Sequence, residues 1–130
     1  MCIRDRTSVA GSSQVVERGF ITYSNNAKIE VLAVRAETIE NYGAVSAETA
    51  EEMAQGALDF SHADVALSVT GIAGPDGGSF DKPVGLVYFG VATRGGALMH
   101  YRCQFEGDRE AVRRQAVEEG FRLLQATTDS

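Results

Sequence analysis

Hydrophobic and polar positions alternate with two different periods along this chain, and the changes of period mark its elements. Gly19–Tyr23 (Gly-Phe-Ile-Thr-Tyr) carries aromatic and β-branched residues and ends at the polar run Ser24-Asn25-Asn26, which predicts a short strand. Ala27–Leu32 predicts a helical turn or two, and Glu37–Asn41 a short helix stopped by Gly43. Ser46 is placed as an N-cap with Glu48 in the first turn behind it. The helix so opened sets Ala50, Met53, Ala54, Ala57 and Leu58 on one face. Asp64–Val69 predicts a buried strand, Gly71–Pro83 a glycine-rich loop with two prolines, and Val84–Thr93 a long strand. Arg94-Gly95-Gly96 predicts a hairpin turn. Beyond it Met99, Tyr101, Cys103 and Phe105 alternate with His100, Arg102 and Gln104. Asp108 then caps a last helix with the stripe Val112, Ala116, Val117, Phe121 and Leu124.

The order strand, helices, strand, hairpin, helix predicts an α/β layered domain with a mixed sheet. At 130 residues the chain is one domain by size and needs no staple to fold. Its net charge is -6, with no basic stripe, which disfavours non-specific nucleic-acid binding. Small anionic ligands remain compatible with a local basic patch. Cys2 and Cys103 form neither a disulfide framework nor a metal motif, and Cys103 reads as a small buried hydrophobe. The longest apolar stretch, Val84–Ala92, is too short to span a bilayer, and Met1–Arg6 lacks the apolar core of a signal peptide. The expected compartment is the cytoplasm.

Three constellations could carry chemistry. The first is Tyr23–Lys28 at the end of the predicted first strand, where α/β folds place their sites. Lys28 and Lys82 are the only lysines, and the other basic residues able to pair with anions are arginines. Lysine, unlike arginine, serves as a base once its pKa is lowered by burial or by a nearby cation. The residues alone leave both a general base and a solvated helix lysine open. The second is Thr70-Gly71-Ile72-Ala73-Gly74-Pro75, directly after a buried strand. Glycines there let a backbone approach a ligand and offer N–H groups to an anion, or simply make a tight turn. The third is Gly107-Asp108-Arg109, with Arg113 and Arg114 following. Asp108 reads as a helix cap, and Arg109 could help hold a phosphate. Ser12 and Ser13 read as turn or cap residues, and His62 and His100 as structural or surface positions.

These segments, in this order, resemble the C-terminal domain of the CinA (competence-damage-inducible) family, which includes stand-alone nicotinamide-nucleotide amidases. The resemblance rests on Ala10–Ser13, Glu17–Lys28, Tyr42–Ser46, Thr70–Gly78, Lys82–Gly85 and Gly107–Arg109, and extends over about Thr7–Leu124. It implies a three-layer α/β/α fold and hydrolysis of the amide of nicotinamide mononucleotide (NMN) to nicotinate mononucleotide and ammonia, with no cofactor and no metal. It also implies a Ser-Lys pair assisted by a tyrosine, which places Lys28 and Tyr23 as catalytic. Thr70, Gly71, Ala73, Gly74 and Arg109 become the expected substrate contacts.

The family serine lies upstream in a Glu-Ser-Cys-Thr-Gly-Gly motif that does not occur in these 130 residues. Residues 1–6 are therefore expected to be a non-native start, 7–126 an amidase domain lacking the family's first helix and strand, and 127–130 a tail. On that reading the chain holds no activity by itself. The expected partner is the nucleotide substrate, with neither nucleic acid nor membrane, and homo-oligomerisation is left open. A reading from another class is a non-catalytic nucleotide-binding or regulatory module, and a third is a structural domain alone.

Overall fold

The computed structural model describes residues 19–22 and 24–128. Among these residues four helices and three strands follow in the order α1 (Asn25–Leu32), α2 (Ala36–Tyr42), α3 (Ala47–Asp59), β1 (Val65–Gly71), β2 (Leu86–Thr93), β3 (Leu98–Gln104) and α4 (Arg109–Thr128). The strands form one sheet in the order β1-β2-β3. Both pairings are antiparallel, with Val69 opposite Phe89 and Phe89 opposite Tyr101.

Period-two alternation splits the sheet's side chains between two helical layers. On one face Ala66 and Ala92 pack against Ala54 and Leu58 of α3. On the other, Val87 and Phe89 pack against Val112, Ala116 and Leu123 of α4. Phe89 is fully buried and meets Phe105 edge to face at 6.4 Å. Burying a side chain of that size contributes about 1.5–3 kcal/mol.

Two glycines set how closely α3 approaches its neighbours. A Cβ at Gly90 in β2 would lie 2.1 Å from the Ala50 carbonyl oxygen, and one at Gly56 in α3 would lie 1.8 Å from that of Leu32. Gly90 thus lets α3 settle on the sheet, and Gly56 lets the end of α1 settle on α3. The polar groups trapped beneath α3 are paired. The Ser68 hydroxyl donates to the Ala50 carbonyl at 2.5 Å and accepts the Gly90 N–H at 3.1 Å.

The caps follow the sequence. The Ser46 hydroxyl accepts the Thr49 N–H at 3.2 Å, and Asp108 Oδ1 accepts the Ala111 N–H at 2.9 Å. The N-cap of α2 is supplied from another helix. Glu52 on α3 accepts the Arg35 N–H at 2.9 Å and the Thr38 hydroxyl at 2.6 Å.

Four expectations change in detail. Residues 19–22 are not in a strand, because they make no ladder with a described neighbour. The α/β layering holds, but the sheet among the described residues is antiparallel throughout, since the edge of β1 away from β2 carries no described strand. The second strand begins at Leu86 rather than Val84, because Val84 and Gly85 form a turn with Gly85 at φ +95°. In α4 the buried row is Val112, Ala116, Gly120 and Leu123, while Phe121 is 43% exposed. Gly120 is the reason: a Cβ there would lie only 3.0 Å from Leu67, so the helix turns that bare position toward the sheet.

Candidate active site

Lys28 lies in the first turns of α1, whose start is fixed by Ser24. The Ser24 hydroxyl accepts the Ala27 N–H at 3.0 Å. That hydroxyl is a helix cap, which accounts for the serine nearest Lys28 in sequence. The Lys28 side chain turns inward and is only 8% exposed. Its Nζ donates to the Thr22 carbonyl at 3.2 Å. No carboxylate among the described residues pairs with it. Burial holds the Lys28 ammonium below the ordinary lysine range.

Lys82 has the opposite character. Its Nζ donates to the Tyr42 carbonyl, tying the glycine-rich loop to the end of α2. The two lysines are thus told apart by their surroundings, one buried against a single carbonyl and the other used as a clamp.

Along the edge of β1 away from β2, which carries no described strand, runs a groove of about 980 Å³ between the α3 layer and α4. Thr22, whose carbonyl holds Lys28, lies on its wall together with Gly71, Ala73 and Arg109. The fold therefore brings Lys28's partner and three of the five expected substrate contacts to one concavity. Its volume falls within the range of small-molecule sites.

The other two expected contacts have local roles and do not line the groove. Thr70 is buried, and its hydroxyl donates to the Ala44 carbonyl at 2.7 Å on the α3 side of the sheet. Gly74 adopts φ +88°, and a Cβ there would meet Val84 Cγ1 at 2.6 Å. Arg109 donates from Nη1 to the Gly74 carbonyl at 3.0 Å, so this side chain holds the loop against the start of α4.

Tyr23, Ser12 and Ser13 lie outside the described residues. Cys103 is partly buried against the Phe89 cluster, and burial raises its thiol pKa, which suits a packing residue rather than a nucleophile. His100 pairs with Glu51 across the sheet and α3 at 2.8 Å, and His62 is exposed. Among the described residues no group of three or more His, Cys, Asp or Glu is arranged to hold a metal. No helix there is long and apolar enough to cross a membrane.

Two positions gain importance that the sequence did not signal. The Thr22 carbonyl is a backbone group, to which residue type gives no clue. Gly56 reads locally as a weak point in a helix, and only the approach of α1 explains it.

Comparison with known proteins places the chain as a whole. The family model described as the CinA C-terminal domain matches residues 2–128. A protein of Enterobacter agglomerans named nicotinamide-nucleotide amidohydrolase PncC is 58% identical over 111 residues, covering 85% of this chain and 68% of that protein. A protein of the same name from Escherichia coli K12 is 54% identical over 119 residues, covering 91% of this chain and 72% of that one. The crystal structure of the competence/damage inducible protein CihA from Agrobacterium tumefaciens superposes with a TM-score of 0.90 at 47% identity, covering 92% of this chain and 73% of that one.

Proposed function

The chain belongs to the CinA C-terminal domain family, and on that premise we propose that it serves the hydrolysis of NMN to nicotinate mononucleotide and ammonia, with Lys28 as the general base. The observation that carries the proposal is the state of Lys28: buried, held by the Thr22 carbonyl, unpaired with any described carboxylate and lowered in pKa. A lysine kept only for charge would stay in water or pair with an acid. One that must take up and give back a proton near neutral pH needs its charged form disfavoured.

In this reading Lys28 accepts the proton of a serine hydroxyl as the serine oxygen attacks the carboxamide carbon. It returns that proton to the departing nitrogen, which leaves as ammonia, and water then releases the nicotinate product from the acyl-serine. Tyr23 orients Lys28 or relays the proton. The groove along the edge of β1 away from β2 receives the nucleotide, with Gly71 and Ala73 on its wall.

None of the 130 residues forms the Glu-Ser-Cys-Thr-Gly-Gly motif of the family nucleophile. We therefore assign to this chain the base and a substrate wall, with the serine supplied by a segment that carries the motif. The test is to join such a segment upstream of the chain and follow NMN consumption and product identity. Nicotinate mononucleotide and ammonia should appear in equal amounts, and Lys28→Arg should abolish both while the fold is kept. Tight NMN binding with no turnover in the joined protein would instead establish a nucleotide-binding module.

A further inference from the structure

The groove is electrostatically unlike the rest of the molecule. The chain carries 18 acidic residues and a net charge of -6. Yet among the described residues on the groove wall there is no aspartate and no glutamate. The described charged groups on that wall are Arg109 and Arg113, one helical turn apart on α4. The rest of the wall is largely apolar, with Val65, Leu67 and Leu124 among its residues. A concavity of this kind favours a ligand with a flat or apolar body and one anionic end, because an anion there meets cations and no competing carboxylate.

The two arginines are not equivalent. Arg109 already donates to the Gly74 carbonyl at 3.0 Å and holds the loop. Arg113 is exposed and carries no hydrogen bond or ion pair to a described residue. Its planar fork of donors is therefore available, and such a fork matches two phosphate oxygens at once. Arg114, the next residue, is exposed as well but does not lie on the groove wall.

We propose that Arg113 is the residue that binds the phosphate of the nucleotide, while Arg109 holds the Gly74 loop in place beside it. This rests on the reading of the groove as the nucleotide site. Arg113 is then the source of the site's preference for a phosphorylated pyridine nucleotide over the corresponding nucleoside.

Binding to the 130-residue chain tests this without turnover. Titration calorimetry with NMN and with nicotinamide riboside, which lacks the phosphate, would be run on the wild type, Arg113→Gln and Arg114→Gln. The loss of charge-assisted hydrogen bonds to the phosphate should weaken NMN binding on the order of tenfold to a hundredfold in Arg113→Gln. Riboside binding should not change, and Arg114→Gln should match the wild type with both ligands. Arg113→Lys should recover part of the loss, since it restores the charge without the fork. Unchanged NMN binding in Arg113→Gln, equal weakening of both ligands, or equal wild-type affinity for both would overturn the role of Arg113 and leave the amidase reading standing. Failure of the wild type to bind either ligand would remove the reading of the groove itself, and this inference with it.

Discussion

In the proposed amidase, the chemistry turns on how one lysine differs from another. Lys28 is buried against the Thr22 carbonyl, and Lys82 clamps the loop to the Tyr42 carbonyl. In the joined, serine-bearing protein, Lys28→Arg should lower kcat about 10²- to 10⁴-fold, the contribution of a positioned general base. Lys82→Met should leave kcat within about threefold and lower the melting temperature slightly, because it removes a partly exposed tie. The pH dependence follows from the direction of the Lys28 shift. Its folded-state pKa lies below the unfolded one, so the unfolded chain binds more protons between the two values. Stability should therefore rise with pH through that window, and Lys28→Met should flatten the rise. A stability profile that Lys28→Met leaves unchanged would mean that burial does not disfavour the ammonium. Residue type singled out Lys28 in the sequence because lysines are so few here. It could not choose between base and surface residue, since burial is a property of the packed molecule.

At the scale of elements, the position of Lys28 depends on α1 lying tightly on α3 at Gly56. Gly56→Ala gains helix propensity, but its methyl would run into the Leu32 backbone. The clash should win, with a loss of about 2–3 kcal/mol and a fall in turnover, checked by denaturant melts and kinetics. The companion helix α2 is capped by Glu52. Burial raises the Glu52 pKa, but the hydrogen bonds from Thr38 and Arg35 outweigh it and hold the carboxyl below the usual range. A depressed carboxylate contributes stability above its unfolded pKa and loses it as pH falls through the folded one. Acid titration of the wild type should show this loss, and Glu52→Gln should not. Most elements were legible because period and cap coincide, as at Ser46 and Asp108. The failures share one cause. Gly19–Tyr23 has strand composition but, over its described residues, no partner, and Phe121 lost its place in the α4 stripe to a glycine that periodicity counts as blank. Both outcomes are decided by neighbours distant in sequence.

At the scale of the molecule, the sheet divides the labour. The α3 face sets up α1 and its lysine, the α4 side contributes the arginines, and the groove along the edge of β1 away from β2 lies between them. Collinear motifs make this layering readable in the sequence, as does the likeness to the CinA family. The groove was not readable, because residues from Thr22 to Arg113 reach it only through the fold. The central claim is that these residues hold the base of an amidase whose serine they do not contain. Ammonia release from NMN tests it most directly, measured for the 130-residue chain beside the same chain joined to a Glu-Ser-Cys-Thr-Gly-Gly segment. The joined protein should release ammonia and the chain by itself none above background. Comparable release from the 130-residue chain would contradict the account, because the nucleophile would then lie among residues that have been given other roles.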